Sequence, residues 1–507
     1  MSAIQLLLQA EAAERWAAVR RRVYRHVRID DAPLVIASYN LSGEAAAPIA
    51  FVWGTSLDDV EVRVAAEPRN RELRFAAIHT FACALDAYME GRMATEPVPG
   101  TPYHNPVAVP QVWVANRGTR DFLGARLGRS LRYLDRGANP ATTETVWAGP
   151  YLSWLDEQRH HPGQSLFLAA TEELTRHYAT GQSALEDENL AVLLAWIRNR
   201  AGSGPAAIRA AESKPAYGPV PDPGLEEQLD ALLRSSADAR RAGDVRAVRK
   251  LEREVTALVE PPLLEAFSAT LDAIHILRSL PEAGSVPKRA VNDKRRWGTY
   301  VWRAEQGIPR FRRRHTALQA AAFIEQWSHA AEHLEADEAF DDLLVMAELD
   351  AAGRCIIGTV KTCDADNREV KDGNKRASVV PLVAIKLTSR TRLLPGDDVT
   401  WSTDRKVTGV EREVESDGAA LVALMGGHDY GRNAPGRGER VLFVDLQPFG
   451  GGGPEGQDDV PWTHRAPDDA PSRVTSDESG PNMSPAEIAA LPLADLSDPD
   501  AVPGVVL

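Results

Sequence analysis

The chain has 507 residues, enough for two to four domains of ~100–200 residues each. Hydrophobic residues make up 44% of it, close to the globular norm, which excludes wholesale disorder. There are 58 basic and 72 acidic residues, a net charge of −14, so the chain is not globally basic. Cys83, Cys355 and Cys363 are too few and too scattered for a disulfide framework or a cysteine-based zinc site. The first residues lack a basic stretch before Glu11 and Glu14, and no run reaches the ~18–20 apolar residues of a membrane span. These features, with an Ala-, Arg-, Gly- and Pro-rich composition of high-GC bacterial type, predict a soluble, cytoplasmic bacterial protein that needs no cofactor.

The pattern predicts a multidomain α/β plus α plus β chain: an N-terminal α/β domain, a helical middle, a small C-terminal β-barrel and a disordered acidic tail. In the α/β domain (1–200) a helix over 3–28 comes first, followed by extended runs at 33–40, 48–55 and 60–65. A helix at 71–90 and a strand at 107–115 come next, and further helices run to Asn199. Ser183 and Glu186 have the spacing of a capping box. Gly202, Gly204, Pro205, Pro215, Pro219, Pro221 and Pro223 mark 201–223 as a linker.

The helical region (224–341) carries one stripe of Leu225, Leu229 and Leu232. Asp244 can cap a second helix, which Pro261 and Pro262 are expected to break. From 342 to 448 the period becomes two, with strands at 343–349, 355–360, 379–387, 398–402, 419–425 and 440–445, the content of a small barrel. The tail (449–507) is different again. Residues 451–507 hold eleven acidic side chains against Arg465 and Arg473, a net of −9 that leaves only −5 for the rest. Ile488, Leu491 and Leu493 follow a helix-start pattern inside it and form a candidate partner-docking motif.

Several motifs are absent. No G-x-x-x-x-G-K-[ST], Gly-x-Ser-x-Gly or kinase set occurs, so the chain carries no P-loop engine of its own. The strongest local signal lies between Lys288 and Arg314, where ten cations face only Asp293 and Glu305, a net of +8. Phosphates demand closely spaced cations, and exposed bases demand flat partners. The candidate nucleic-acid contacts are therefore Lys294, Arg295, Arg296, Trp297, Trp302, Arg310, Arg312, Arg313 and Arg314, joined by Lys375 and Arg376 in a barrel loop. Trp297 and Tyr300 also have the i, i+3 spacing of a helix core face. A second basic cluster, Arg15 to Arg28, includes Arg21-x4-His26, which is similar to the loose motif of a family of bacterial helical ribonucleases.

Other resemblances are local. His329-Ala-Ala-Glu332-His333 is similar to the H-x-x-E-H of inverted zinc proteases. On a helix its histidines fall about 100–140° from the apolar stripe, and a third ligand would have to come from Glu411 or its neighbours. The order α-β-β-β-α-β resembles the core of restriction-type nucleases, with Asp59, Glu61 and Arg63 near that family's metal-binding strand. That likeness implies a metal-dependent nuclease, although Arg63 stands where the family has Lys and no acid lies on the second strand. The run from Leu394 to Phe443 resembles the small β-barrel of superfamily 1B helicases, without their motor motifs. Together the sequence predicts no catalytic or metal residues and a DNA- or RNA-binding accessory subunit beside an ATPase or helicase. A scaffold without nucleic acid and a nuclease are the alternatives.

Overall fold

A computed structural model describes residues 3–44, 47–97, 104–132, 134, 143–214, 217–306, 317–370, 377–414 and 419–446. The expectations for the tail, for Ile488, Leu491 and Leu493, and for the loop holding Lys375 and Arg376 lie outside the described residues. The first helix, α1 (Ala3–Arg15), stops well short of residue 28. Trp16 turns the chain at φ 51°, and Val19–Arg20 pairs with Tyr178–Ala179. Beyond this point the arginines of the second basic cluster fan out to different carboxylates. Arg22 reaches Glu338 (3.8 Å) and Glu348 (3.4 Å), Arg25 reaches Glu282 (2.5 Å), and Arg28 reaches Asp30 (3.0 Å).

Three antiparallel strands follow, β1 (Leu34–Asn40), β2 (Pro48–Gly54) and β3 (Glu61–Val64), close to the expected runs. Helix α2 (Arg71–Glu90), capped by Asn70, leads to β4 (Val112–Val114), a shorter strand than expected. Helix α3 (Thr143–Gln158) then precedes β5 (Phe167–Ala169), and α4 (Ala170–His177) follows directly. The sheet order is β3-β2-β1-β4-β5, with β1, β4 and β5 parallel. Every residue of β1 and β2 is buried, so both faces of the sheet must be covered. Strand alternation sends Ile36, Phe51 and Trp53 to one core with Phe81, Leu85 and Trp154. It sends Val35, Tyr39 and Val52 to the other.

That second core corrects the idea of a separate helical middle. Helices α5 (Pro223–Arg241) and α6 (Val245–Arg278) lie on the sheet, and Leu229, Val255, Val259, Leu263 and Phe267 share one cluster with Val35, Tyr39 and Val52. Asp244 caps α6 as expected, accepting from the N–H groups of Arg246 and Ala247. Pro261 and Pro262 do not break it. An interior proline costs ~3 kcal/mol or more, and the stripe of Val255, Val259, Leu263 and Phe267 buried against the sheet offsets that loss. The supposed linker is docked as well. Ala206–Glu212 is a helix whose Ile208 packs beside Trp196. Gly218 sits at φ 79° with the Ser38 carbonyl oxygen only 2.7 Å from where a Cβ would stand, so only glycine fits there. Ser183 and Glu186 do bond reciprocally, but they close a short 3-10 turn, and Asn189 caps the helix that follows.

On the opposite face of the sheet lies α7 (Val286–Glu305), with Trp297, Tyr300 and Val301 in the core of Phe81 and Trp154. Helix α8 (Ala317–Asp341) runs into α9 (Leu343–Ala352). The sequence predicts a strand at 343–349. Asp342 at the N-cap and Gly353 at φ 77° after the last turn make it a helix instead, with Val345, Met346 and Leu349 buried at helical spacing.

Six strands then close a barrel: β6 (Cys355–Asp364), β7 (Leu382–Leu387), β8 (Asp398–Trp401), β9 (Thr408–Val414), β10 (Ala419–Gly426) and β11 (Arg440–Val444). The order is β6-β7-β10-β9-β8-β11, and β11 pairs back onto β6. Closure leaves no free edge. A two-stranded ribbon, Arg368–Val370 with Ala377–Val379, projects from it and is tied back by Arg412 to Glu369 (2.8 Å). The barrel is fastened to the body by Arg354, which bridges Glu335 (2.6 Å) and Asp445 (2.9 Å), and by Arg405 on Asp341 (3.1 Å). No helix of the described residues is long and apolar enough to cross a membrane.

Candidate nucleic-acid interface

Helix α7 has two chemically different faces. Inward, Trp297 is 0% exposed, stacks on Tyr300 with ring centroids 5.1 Å apart, and donates its indole N–H to the Arg92 carbonyl (2.8 Å). A tryptophan so held cannot stack on a base, and Trp297 drops out of the nucleic-acid contacts. Arg289 is buried too, donating to Ser285 Oγ (2.5 Å) and the His26 carbonyl (2.8 Å). Asp293 is buried and accepts the Ser165 N–H (3.0 Å); burial pushes its carboxyl up, and the nearby Arg296 guanidinium opposes that. Arg296 is thereby engaged in an ion pair with Asp293 rather than offered to a ligand.

Outward, the face is cationic and carries one aromatic ring. Lys294 and Arg295 are exposed, and Trp302 is 53% exposed. Lys288, Arg295 and Trp302 recur every seventh residue, which puts them on one stripe about 10.5 Å apart along the helix. Val291, also exposed, lies between them. The Lys288 ammonium is 3.9 Å from Asp337 yet remains largely exposed. Arg310, Arg312, Arg313 and Arg314 lie outside the described residues. On the barrel and its ribbon, Arg368, Lys386, Arg390 and Arg392 are exposed.

The other motifs resolve differently. His26 of the Arg21-x4-His26 pattern is buried off any helix, and its backbone N–H donates to His177 Nε2 (3.2 Å). Asp59 closes the 55–59 turn, accepting from the Thr55 and Ser56 N–H and hydroxyl groups. Burial works against its charge, but those hydrogen bonds hold it below the usual carboxylate range. Glu61 and Arg63 sit on the exposed side of edge strand β3. His329 and Glu332 lie 3.4 Å apart on the exposed face of α8. Glu411 is far from a ligand role beside them. It points into the barrel, where burial and Asp397 push its carboxyl up to about 7, and neither of its oxygens has a hydrogen-bond partner.

Among the described residues, one group of three side chains is spaced to hold a metal ion: His79, Cys83 and Glu144. Neither the nuclease-like nor the protease-like residues form such a group. The His79-x3-Cys83 spacing was legible as one helix face, but Glu144 is brought to it only by the packing of α3. Comparison with protein-family models, with characterised proteins and with solved structures finds no match to this chain.

Proposed function

We propose that the chain is a non-enzymatic nucleic-acid-binding subunit that works beside an ATPase or helicase. The observation that carries this reading is the outward stripe of α7. It sets cations and one exposed indole on a rigid helix whose other face is locked into the core by Trp297 and Tyr300. Rigid presentation matters because phosphate contacts position a strand while stacking grips it without regard to sequence. The exposed cations Arg368, Lys386, Arg390 and Arg392 on the barrel and its ribbon supply a second surface. The absence of motor motifs leaves ATP-driven work to a partner.

Fluorescence anisotropy with labelled single-stranded DNA, single-stranded RNA and duplex DNA tests the reading. Trp302→Ala should weaken single-strand binding by about 1–3 kcal/mol, the usual worth of one stacked base, which is roughly 5- to 150-fold. Copurification of the tagged chain, read by mass spectrometry and by its 260/280 ratio, identifies the partner. Absence of binding by the wild type, or unchanged binding by a folded Trp302→Ala variant, sinks the role of the stripe.

A further inference from the structure

Residues four apart on a helix share a face. His79 and Cys83 are such a pair in α2, and Glu144 stands in the first turn of α3, which packs across α2. All three side chains are half-buried, and one ligand atom of each lies within 4.8 Å of the other two. Cys83 Sγ is 3.6 Å from His79 Nδ1 and 3.7 Å from Nε2. With Zn–S near 2.3 Å and Zn–N near 2.0–2.1 Å, the S···N edge of a zinc tetrahedron measures roughly 3.5–3.6 Å. The two helix ligands already stand at that separation. Thr145 Oγ1 lies 3.5 Å from His79 Nδ1, within reach of an outer-shell role that orients the ring.

We propose that His79, Cys83 and Glu144 bind one Zn²⁺, with water in the fourth position. The donor set decides the metal: thiolate and imidazole favour zinc over magnesium or calcium, which prefer all-oxygen sites. Three protein ligands on a half-buried surface leave the fourth position open. A zinc ligand thiol binds as thiolate, so the ion must displace the Cys83 proton. Binding therefore releases protons and weakens as pH falls. None of these residues belongs to the α7 stripe, so this site and the nucleic-acid reading stand or fall separately.

The test uses the full chain, stripped of metal and freed of any affinity tag. It is titrated with ZnCl₂ against a chromogenic chelator and, in parallel, with CoCl₂. The expected result is one zinc per chain, and a cobalt spectrum with intense tetrahedral bands and a thiolate-to-metal charge-transfer band in the near ultraviolet. Cys83→Ser should remove the charge-transfer band and weaken zinc at least ~10-fold; Glu144→Gln should weaken zinc and keep the band. Circular dichroism establishes that each variant is folded. If a variant fails to fold, the wild-type cobalt spectrum decides, because a bound cobalt without a thiolate band overturns the proposal. Substoichiometric zinc, or equal affinity in folded Cys83→Ser and His79→Asn, overturns it too.

Discussion

Truncating Trp297 to alanine is expected to destabilise the protein by about 3–5 kcal/mol, the range for a large aromatic removed from a packed core. The indole is fully buried among Trp154, Tyr300 and Phe81 and loses a hydrogen bond to Arg92 as well. Trp302, five residues on and on the outer face, should change stability by less than about 0.5 kcal/mol when truncated, as exposed positions do. Urea denaturation of the two variants therefore separates two tryptophans that look alike in the sequence. A Trp297→Ala protein with an unshifted midpoint would mean that the inner face of α7 is wrongly placed.

The second large effect is expected at Asp342, between α8 and α9. Its carboxylate is fully buried and accepts the N–H groups of Val23 (2.6 Å), Tyr24 (3.1 Å) and Leu344 (2.9 Å), with His26 Nε2 at 3.5 Å. It thus ties the N-terminal segment to the helices that lead into the barrel. Asp342→Ala leaves partly buried N–H donors without their acceptor; full burial would cost about 1–3 kcal/mol each, and partial access to water trims the total to an expected loss of about 3–5 kcal/mol.

The same junction should make the fold acid-labile. Burial opposes the Asp342 charge, but the hydrogen bonds from His26, Tyr24, Leu344 and Val23 hold its pKa at about 2. Its contribution is therefore present above pH ~4 and lost as pH falls toward 2. Burial also holds His177 down at about 3, so the folded protein keeps it neutral while the unfolded chain takes up a proton below pH ~6.5. Its share of stability is lost as pH falls from about 6.5 to 3. Glu173, pushed up by burial one turn earlier, works in the opposite sense. The net slope belongs to the network, and His177→Gln isolates the histidine. Melting temperatures should fall from pH 6.5 downward in the wild type, and fall less steeply in His177→Gln. Identical slopes would show that His177 is not held neutral.

The parts of the fold legible in the sequence are those where one physical signal dominates. Strands β1 and β2 are largely apolar runs, α2 is framed by Asn70 and Gly91, and the barrel strands are separated by turn residues. Local rules failed where tertiary contacts outweigh them. Pro261 and Pro262 stay helical because the sheet covers α6, and the proline-rich 217–222 segment is held by Asn40 and Asn116 rather than left as a tether. Residues 343–349 form a short apolar run that local pattern alone cannot tell from a strand, and the N-cap at Asp342 decides for helix. In the basic segment, composition identified the helix, and its phase decided which side chains face outward. Trp297 at i, i+3 with Tyr300 points in; Trp302, a further half-turn round, points out. The His79, Cys83 and Glu144 cluster needed the crossing of two helices that no local pattern specifies.

The claim that the outward stripe of α7 binds the phosphate backbone is tested most directly by salt. Binding constants for a single-stranded oligonucleotide, measured from low to moderate NaCl, give a line on logarithmic axes. Its slope counts the counterions released, at about 0.7 per phosphate contact. Lys294→Ala combined with Arg295→Ala removes two exposed cations that are dispensable for packing, so the slope should shrink in magnitude by about 1.4 while the melting temperature holds. A folded double variant with the wild-type slope would contradict the assignment of this helix to nucleic acid.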